Sequence, residues 1–245
     1  MTITSPHNER LKEIRKLARR RDRALSGRFV AEGEDRLAAA DAAGWPALER
    51  YCAAGSGLAG AEVDAELLAA VSQLGSGTRA LGVFEQRWAD VPAGPLCVAL
   101  HGIADPGNVG TILRSALAFG ASCVALGPDC ADPYGPKAVR ASMGALFAVP
   151  VARYASAEEL PGVTVALDAH AEEPIAALVA GSGEPLTLLV GAERAGLPEE
   201  VLEAADRVVR IPIASESLNA AMAATVALYE VTRGAVATER RMPTP

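Results

Sequence analysis

The segment LCVALHGIADPGNVGTILRSALAFG spans residues 96–120 and passes from one periodicity to another. Its first five residues are apolar without alternation, the pattern of a strand covered on both faces, as in a parallel sheet. A helical period follows as far as Phe119, and Gly120 falls where a helix C-terminus favours a left-handed residue. Between strand and helix lies Asp105-Pro106-Gly107-Asn108. In open α/β sheets, ligands sit at the carboxyl ends of strands, so this loop is well placed for chemistry. Asn108 can donate and accept, and Arg114 offers a planar fork suited to phosphate. The same residues would serve equally as an Asx turn followed by a surface arginine.

The alternation continues downstream. Strand candidates recur at 122–126, 147–151, 163–167, 186–190 and 208–211, with helix candidates between most of them. Strands alternating with helices predict a parallel sheet covered on both faces. Two further loops follow such strands. LVGAERAGL (residues 189–197) places Gly191 and Gly196 around Glu193, and a strand-end glycine marks close backbone approach. IPIASESLNAAMAATVALYE (residues 211–230) runs from a short apolar stretch through Ser217-Leu218-Asn219 into an Ala-rich helix. Ser217 is its expected N-cap. None of the three loops carries G-x-G-x-x-G, G-x-x-x-x-G-K-[ST] or G-x-S-x-G, which argues against dinucleotide, P-loop and hydrolase chemistry.

Upstream, Ser5-Pro6 reads as the start of one helix ending at Ser26-Gly27. A strand follows at Arg28-Phe29-Val30. A helix from Glu32-Gly33 to Gly44, an apolar segment to Ala54, a helix over 62–71 and a strand over 80–84 complete a small α/β unit. QRWADVPAGP lacks periodicity and reads as a linker. The expected division is 1–86, a linker over 87–95, and a second domain over 96–245.

The formal net charge is -7, yet residues 10–28 hold nine Lys/Arg against two acids. One basic element on an acidic body suits recognition of an anionic partner, or simply a solvated helix. With 4% aromatic residues, the core is expected to be Ala, Val and Leu packing. Cys52, Cys97, Cys123 and Cys130 show no paired spacing and, with three scattered histidines, no metal constellation. No apolar run approaches the ~18 residues of a membrane span, and no secretory h-region opens the chain. A reduced cytoplasmic setting is expected.

Taken together, the three loops resemble the signature motifs of the SpoU/TrmH family of RNA ribose 2′-O-methyltransferases. Asn108, Gly110, Arg114, Ala116 and Gly120 match the first motif. Gly191, Glu193 and Gly196 match the second; Ile211-Pro212, Ser217-Leu218-Asn219 and Tyr229-Glu230 match the third. PKAVRASMG (residues 136–144) resembles a further family stretch. The region from Asn8 to Phe29-Val30-Ala31-Glu32-Gly33 is similar to the substrate-binding domain of rRNA members.

The resemblance implies a small RNA-binding α/β domain, then an α/β knot domain whose mostly parallel sheet ends in a deep trefoil knot. It implies S-adenosyl-L-methionine as cofactor, held by Gly191, Ile211, Pro212, Ile213 and Leu218. It implies a catalytic group of Arg114, Asn108, Glu193, Ser217 and Asn219, and a homodimer. RNA, expected to be 23S rRNA, would be gripped by Lys12, Arg15, Lys16, Arg19, Arg20, Arg23 and Arg140, without a metal. The loop between Pro212 and Ser217 is shorter than in most members, which puts Glu216 near the ligand. The competing expectation is a non-catalytic RNA-binding or ribosome-assembly factor that retains the fold and binds cofactor weakly.

Overall fold

In the computed structural model, which describes residues 2–72, 77–178, 184–215 and 217–239, Asn8 rather than Ser5 opens the first helix. Its side chain accepts from the Arg10 backbone N–H at 3.0 Å. Helix α1 (Glu9–Lys16) buries Leu11 and Ile14, and the chain then turns into α2 (Arg20–Ser26). The single helix expected here is therefore two. Arg23 explains the break. Its guanidinium donates to the carbonyls of Leu17 and Ala18, both at 2.9 Å, and pairs with Asp132 at 2.6 Å. Arg23 is 4% exposed, so it is structural and unavailable to RNA.

Gly27, at φ +65, ends α2 and β1 (Arg28–Glu32), α3 (Glu34–Ala42), β2 (Glu49–Ala53), β3 (Ala61–Val63), α4 (Ala65–Val71) and β4 (Ala80–Glu85) follow. The expected helix over 62–71 begins later, because 61–63 pair as a strand with β2 and Asp64 caps α4. The sheet order is β1-β4-β2-β3, antiparallel except for β2 and β3. Helices α1 and α4 lay Leu11, Ile14, Leu17, Leu68 and Val71 on Val30, Tyr51 and Leu81 of this sheet.

A second sheet holds β5 (Leu96–Leu100), β6 (Cys123–Leu126), β7 (Val151–Arg153), β8 (Val163–Leu167), β9 (Glu173–Pro174), β10 (Leu186–Val190) and β11 (Arg207–Arg210). Its order is β7-β6-β5-β10-β8-β11-β9 and every pairing is parallel. The α/β class with a mostly parallel sheet is as expected. The helices are α5 (Pro106–Ala118), α6 (Pro136–Ser142), α7 (Glu199–Ala204) and α8 (Ala220–Glu239). Ala99, Ala125, Ala166 and Leu189 pack on one face with Tyr154, Leu160 and Leu197. Helices α5 and α8 pack together, and α8 also contacts β10. The small side chains of Ala220, Ala221, Ala224 and Ala227 let α8 lie close to β10, while α7 packs through Val201 and Leu202.

The chain divides into two compact units, one reaching Arg87 and also taking Asp132–Ala148, the other comprising Trp88–Ala131 and everything from Val149. Residues 132–148, placed with the second domain by sequence, group with the first unit. Aromatic packing accounts for it: Phe147 sits 6.0 Å from Phe29 and 4.9 Å from Phe84, and Tyr134 lies 4.9 Å from Phe29. Trp45 closes the cluster edge-on at 5.4 Å from Phe147. The few aromatics are therefore concentrated here, and β7 begins at Val151 rather than 147 because Phe147 belongs to this cluster. The segment over 87–95 is no free linker either: Ala89 donates to the Val151 carbonyl at 2.8 Å and extends the edge beside β7.

Candidate functional site

The site forms where connections diverge. The chain leaving β5 turns to β6 on one side, whereas the chain leaving β10 passes through α7 to β11 on the other. Such a switch point opens a crevice at the carboxyl ends of the two strands. The strands stay joined beyond their ends, since the His101 N–H donates to the Val190 carbonyl at 2.9 Å. The Leu100 carbonyl below is held by three donors: Gly127 N at 2.9 Å, and Cys130 Sγ and Tyr154 Oη at 3.2 Å each. Burial pushes both the thiol and the phenol up, so each stays protonated and able to donate.

Asp105 caps α5, accepting from Gly107 N at 2.5 Å, and Pro106 takes the first turn, where no N–H is needed. This presents Asn108 one turn into the helix. The loop after β10 folds back on itself: Ala192 and Gly196 exchange backbone hydrogen bonds of 3.2 and 2.9 Å. A Cβ on Gly191 would lie 2.3 Å from the Gly196 carbonyl carbon, so this glycine is required by the turn itself. The turn presents Glu193.

The three loops meet in a chain of hydrogen bonds. Asn108 Nδ2 donates to Glu193 Oε1, and Asn219 Nδ2 donates to Asn108 Oδ1 at 3.1 Å. Asn219 Oδ1 accepts from Ala221 N at 3.0 Å and Met222 N at 3.3 Å. Asn219, not Ser217, is therefore the N-cap of α8. Direction propagates along the chain: the helix N-terminus claims the Asn219 oxygen, its amide must donate to Asn108, and the Asn108 amide must then face Glu193. Farther along, Ser115 Oγ and Thr225 Oγ1 lie 2.6 Å apart and tie α5 to α8 again.

Beside this chain is a cleft of about 250 Å³, near the lower end of the 300–1,000 Å³ typical of small-molecule sites. Glu193 and Ser217 line it, as do Gly191, Ile211, Ile213 and Leu218 of the expected cofactor set. Pro212 is exposed and does not line it. Asn108 and Asn219 reach the cleft only through Glu193. Arg114 is exposed on α5, outside the cleft, and makes no hydrogen bond or ion pair among the described residues. Glu216 lies outside the described residues, but Ile213 and Ser217 on either side of it face the cleft, so the short loop still reaches the site.

Sequence reading missed the wall formed after β8, which includes Leu167, Asp168 and His170. Asp168 Oδ1 accepts from His170 N at 2.7 Å and shapes this turn. The rule that directs attention to strand carboxyl ends, applied to 163–167, would have found it. The walls are apolar at Leu167, Val190, Ile211 and Leu218, with backbone groups of the 191–196 turn and a few charged side chains between. That combination can hold a flat, partly apolar ligand with polar ends. Among the described residues no group of His, Cys, Asp and Glu could hold a metal ion.

The family model described as "SpoU rRNA Methylase family" matches residues 95–229. A Synechocystis protein named as an uncharacterized tRNA/rRNA methyltransferase is 32% identical over 95% of this chain and 93% of its own length. A Streptomyces viridochromogenes 23S rRNA (uridine-2′-O)-methyltransferase is 39% identical over 52% of this chain and 49% of its own. The solved structure of an AdoMet-bound rRNA methyltransferase from Sinorhizobium meliloti superposes with a TM-score of 0.85 at 33% identity, covering 96% of this chain and 98% of that one. The match spans β5 through the first half of α8 and includes every residue of the Glu193–Asn108–Asn219 chain, and on these grounds the protein belongs to the SpoU rRNA methylase family.

Proposed function

We propose that this protein methylates a ribose 2′-hydroxyl of ribosomal RNA, using S-adenosylmethionine. The observation that carries the reading is the Glu193–Asn108–Asn219 chain, which joins three loops distant in sequence at the carboxyl ends of β5 and β10. Gly191, Ile211, Ile213 and Leu218, with Leu167 and Val190, are the residues that would hold the cofactor. When bound, the cofactor supplies a methyl group already activated on a sulfonium. Transfer to the ribose oxygen would release the cofactor as a neutral thioether, with the 2′-hydroxyl proton passing to solvent.

The residues of this chain therefore have to position more than activate. Glu193 is held by Asn108 at the edge of the cleft, and Ser217 lines it. Arg114 is a solvent-facing cation without a protein partner among the described residues. It can orient a phosphate beside the target ribose and stabilise negative charge developing on the 2′-oxygen. RNA approaches over exposed Lys16, Arg19 and Arg20, with half-buried Lys12 and Arg15 beside them. The salt links Lys12–Glu9 (2.7 Å) and Lys16–Glu13 (2.6 Å) partly neutralise this surface, so Arg19 and Arg20 carry most of its pull.

A homodimer fits the apolar residues left exposed on α5 and α8, namely Leu117, Met222 and Tyr229. The implied knot belongs to the same reading, as does a cytoplasmic setting, which suits four buried, unpaired cysteines. The test is Arg114→Lys with Arg114→Ala, assayed for methyl transfer to 23S rRNA transcripts. Both should lose at least about 100-fold in turnover, the scale of removing one charge-stabilising donor. Near-normal turnover in Arg114→Lys would refute the need for the planar fork. Failure of the wild type to bind S-adenosylmethionine by calorimetry would favour a non-catalytic assembly factor.

A further inference from the structure

The wall beyond β8 holds a charged group that the proposed reaction leaves unused. Strand β8 is buried through Thr164, Val165 and Ala166, and half-buried Asp168 is the first residue past its carboxyl end. The backbone there is fixed, because the Asp168 N–H donates to the Val209 carbonyl of β11 at 3.0 Å. The side chain is fixed as well: Oδ1 accepts from the His170 N–H at 2.7 Å and closes an Asx turn. Oδ2 accepts no hydrogen bond among the described residues. Asp168 makes no ion pair there either, although exposed His170 and Arg194 line the same cleft. An ionised carboxylate has about four acceptor sites, so most of its capacity is left for a ligand.

Sheet order separates this acid from Glu193. Strand β10 lies between β5 and β8. Glu193 reaches across to Asn108 on the β5 side, and Asp168 stands on the β8 side. Strands β5 and β8 are two strand spacings apart, about 10 Å, so a ligand spanning the cleft has the length of a substituted nucleoside. The base belongs on the apolar wall of Leu167, Ile211 and Leu218. Leu167 immediately precedes Asp168, so a base placed there brings its ribose beside the carboxylate. In dinucleotide-binding α/β sheets, an acid beyond a neighbouring strand accepts ribose hydroxyls while a glycine-rich turn takes the phosphates. This chain lacks that phosphate turn but has an acid in the ribose position.

We infer that Asp168 is a cofactor-binding residue whose Oδ2 accepts a ribose hydroxyl of S-adenosylmethionine, fixing the nucleoside end so that the methyl faces the Glu193 side. The inference rests on S-adenosylmethionine being the cofactor. The sulfonium is the other group that a carboxylate could serve, but it belongs at the reacting end, across β10 from Asp168.

The test is calorimetry on the full-length protein with S-adenosylmethionine, S-adenosylhomocysteine and the 2′-deoxy and 3′-deoxy forms of the latter. Asp168→Asn is the variant of choice. Its Oδ1 keeps the bond from His170 N, which turns the amide NH₂ into the place of Oδ2. The variant should bind S-adenosylmethionine and S-adenosylhomocysteine each about tenfold more weakly, the effect of one charged hydrogen bond. In wild type, one deoxy form should lose about as much, and that penalty should largely vanish in Asp168→Asn, as for two groups in contact. Equal deoxy penalties in wild type and variant would overturn the inference. So would a loss confined to S-adenosylmethionine, which would place the carboxylate at the sulfonium instead. The wild-type measurement needs no variant, and the absence of a penalty for either deoxy form would be enough to reject the ribose contact. Wild type that binds neither parent ligand would sink the cofactor reading and this inference with it; wild type that binds both, with Asp168→Asn unchanged, would sink this inference alone.

Discussion

Asn108 carries two obligations at once: its amide donates to Glu193 and its oxygen accepts from Asn219. Asn108→Asp keeps the shape but places a second carboxylate against Glu193. We expect a loss of about 1–3 kcal/mol, the cost of leaving polar groups unpaired with like charges opposed, and at least a 100-fold fall in methyl transfer. Urea denaturation and single-turnover assays check the two effects separately. Gly191 shows a different constraint. Gly191→Ala would drive a methyl group into the Gly196 backbone at 2.3–2.4 Å, where no flexible side chain can yield. Overpacking of this kind costs about 1–3 kcal/mol. Calorimetry should also show weakened S-adenosylmethionine binding, because the same turn lines the cleft. Unaltered affinity would show that the turn adapts.

At the scale of elements, the corner between α1 and α2 depends on one side chain. Arg23 binds the carbonyls of Leu17 and Ala18, in the turn that follows the first helix, and the Asp132 carboxylate together. Arg23→Ala would strand a partly buried carboxylate and two carbonyls, at about 3–5 kcal/mol. Arg20→Ala, on the exposed side of the same helix, should cost less than about 0.5 kcal/mol and act only on RNA affinity. Equal stability of the two variants would remove Arg23 from the framework. Charge counting over residues 10–28 could not separate these arginines. The basic run was legible in the sequence; which member turns inward depends on Asp132, more than a hundred residues away. The same limit applies at the helix starts. Several residues near the beginning of α8 could cap it, and Asn219 wins because its amide also meets Asn108.

For the whole molecule, the proposed reading seats the cofactor in the second unit alone, whereas the RNA would also meet the basic surface of the first. Ligand at 100 times its dissociation constant should stabilise the protein by about 2.7 kcal/mol. Hydrogen exchange should place the added protection on 167–170, 191–197 and 211–215, within the second unit, and leave α1 through β4 unchanged. Protection spread evenly over both units would contradict that division of labour.

Local sequence determined the strands and most helices of the second unit, because runs such as those at 96–100, 163–167 and 186–190, apolar but for Thr164 and Thr187, call for cover on both faces. It also marked the three loops, whose Asn, Glu, Arg and Gly residues stand at strand ends. Tertiary structure alone decided the rest. The insertion of β10 between β5 and β8 creates the crevice, and pairing order depends on contacts between distant segments, which local periodicity does not record. The aromatic cluster draws 132–148 into the first unit for the same reason: Phe147 is buried by partners far away in the chain. Arg114 was marked as a phosphate-binding fork by its residue type, but only the fold leaves it exposed and, among the described residues, without a partner.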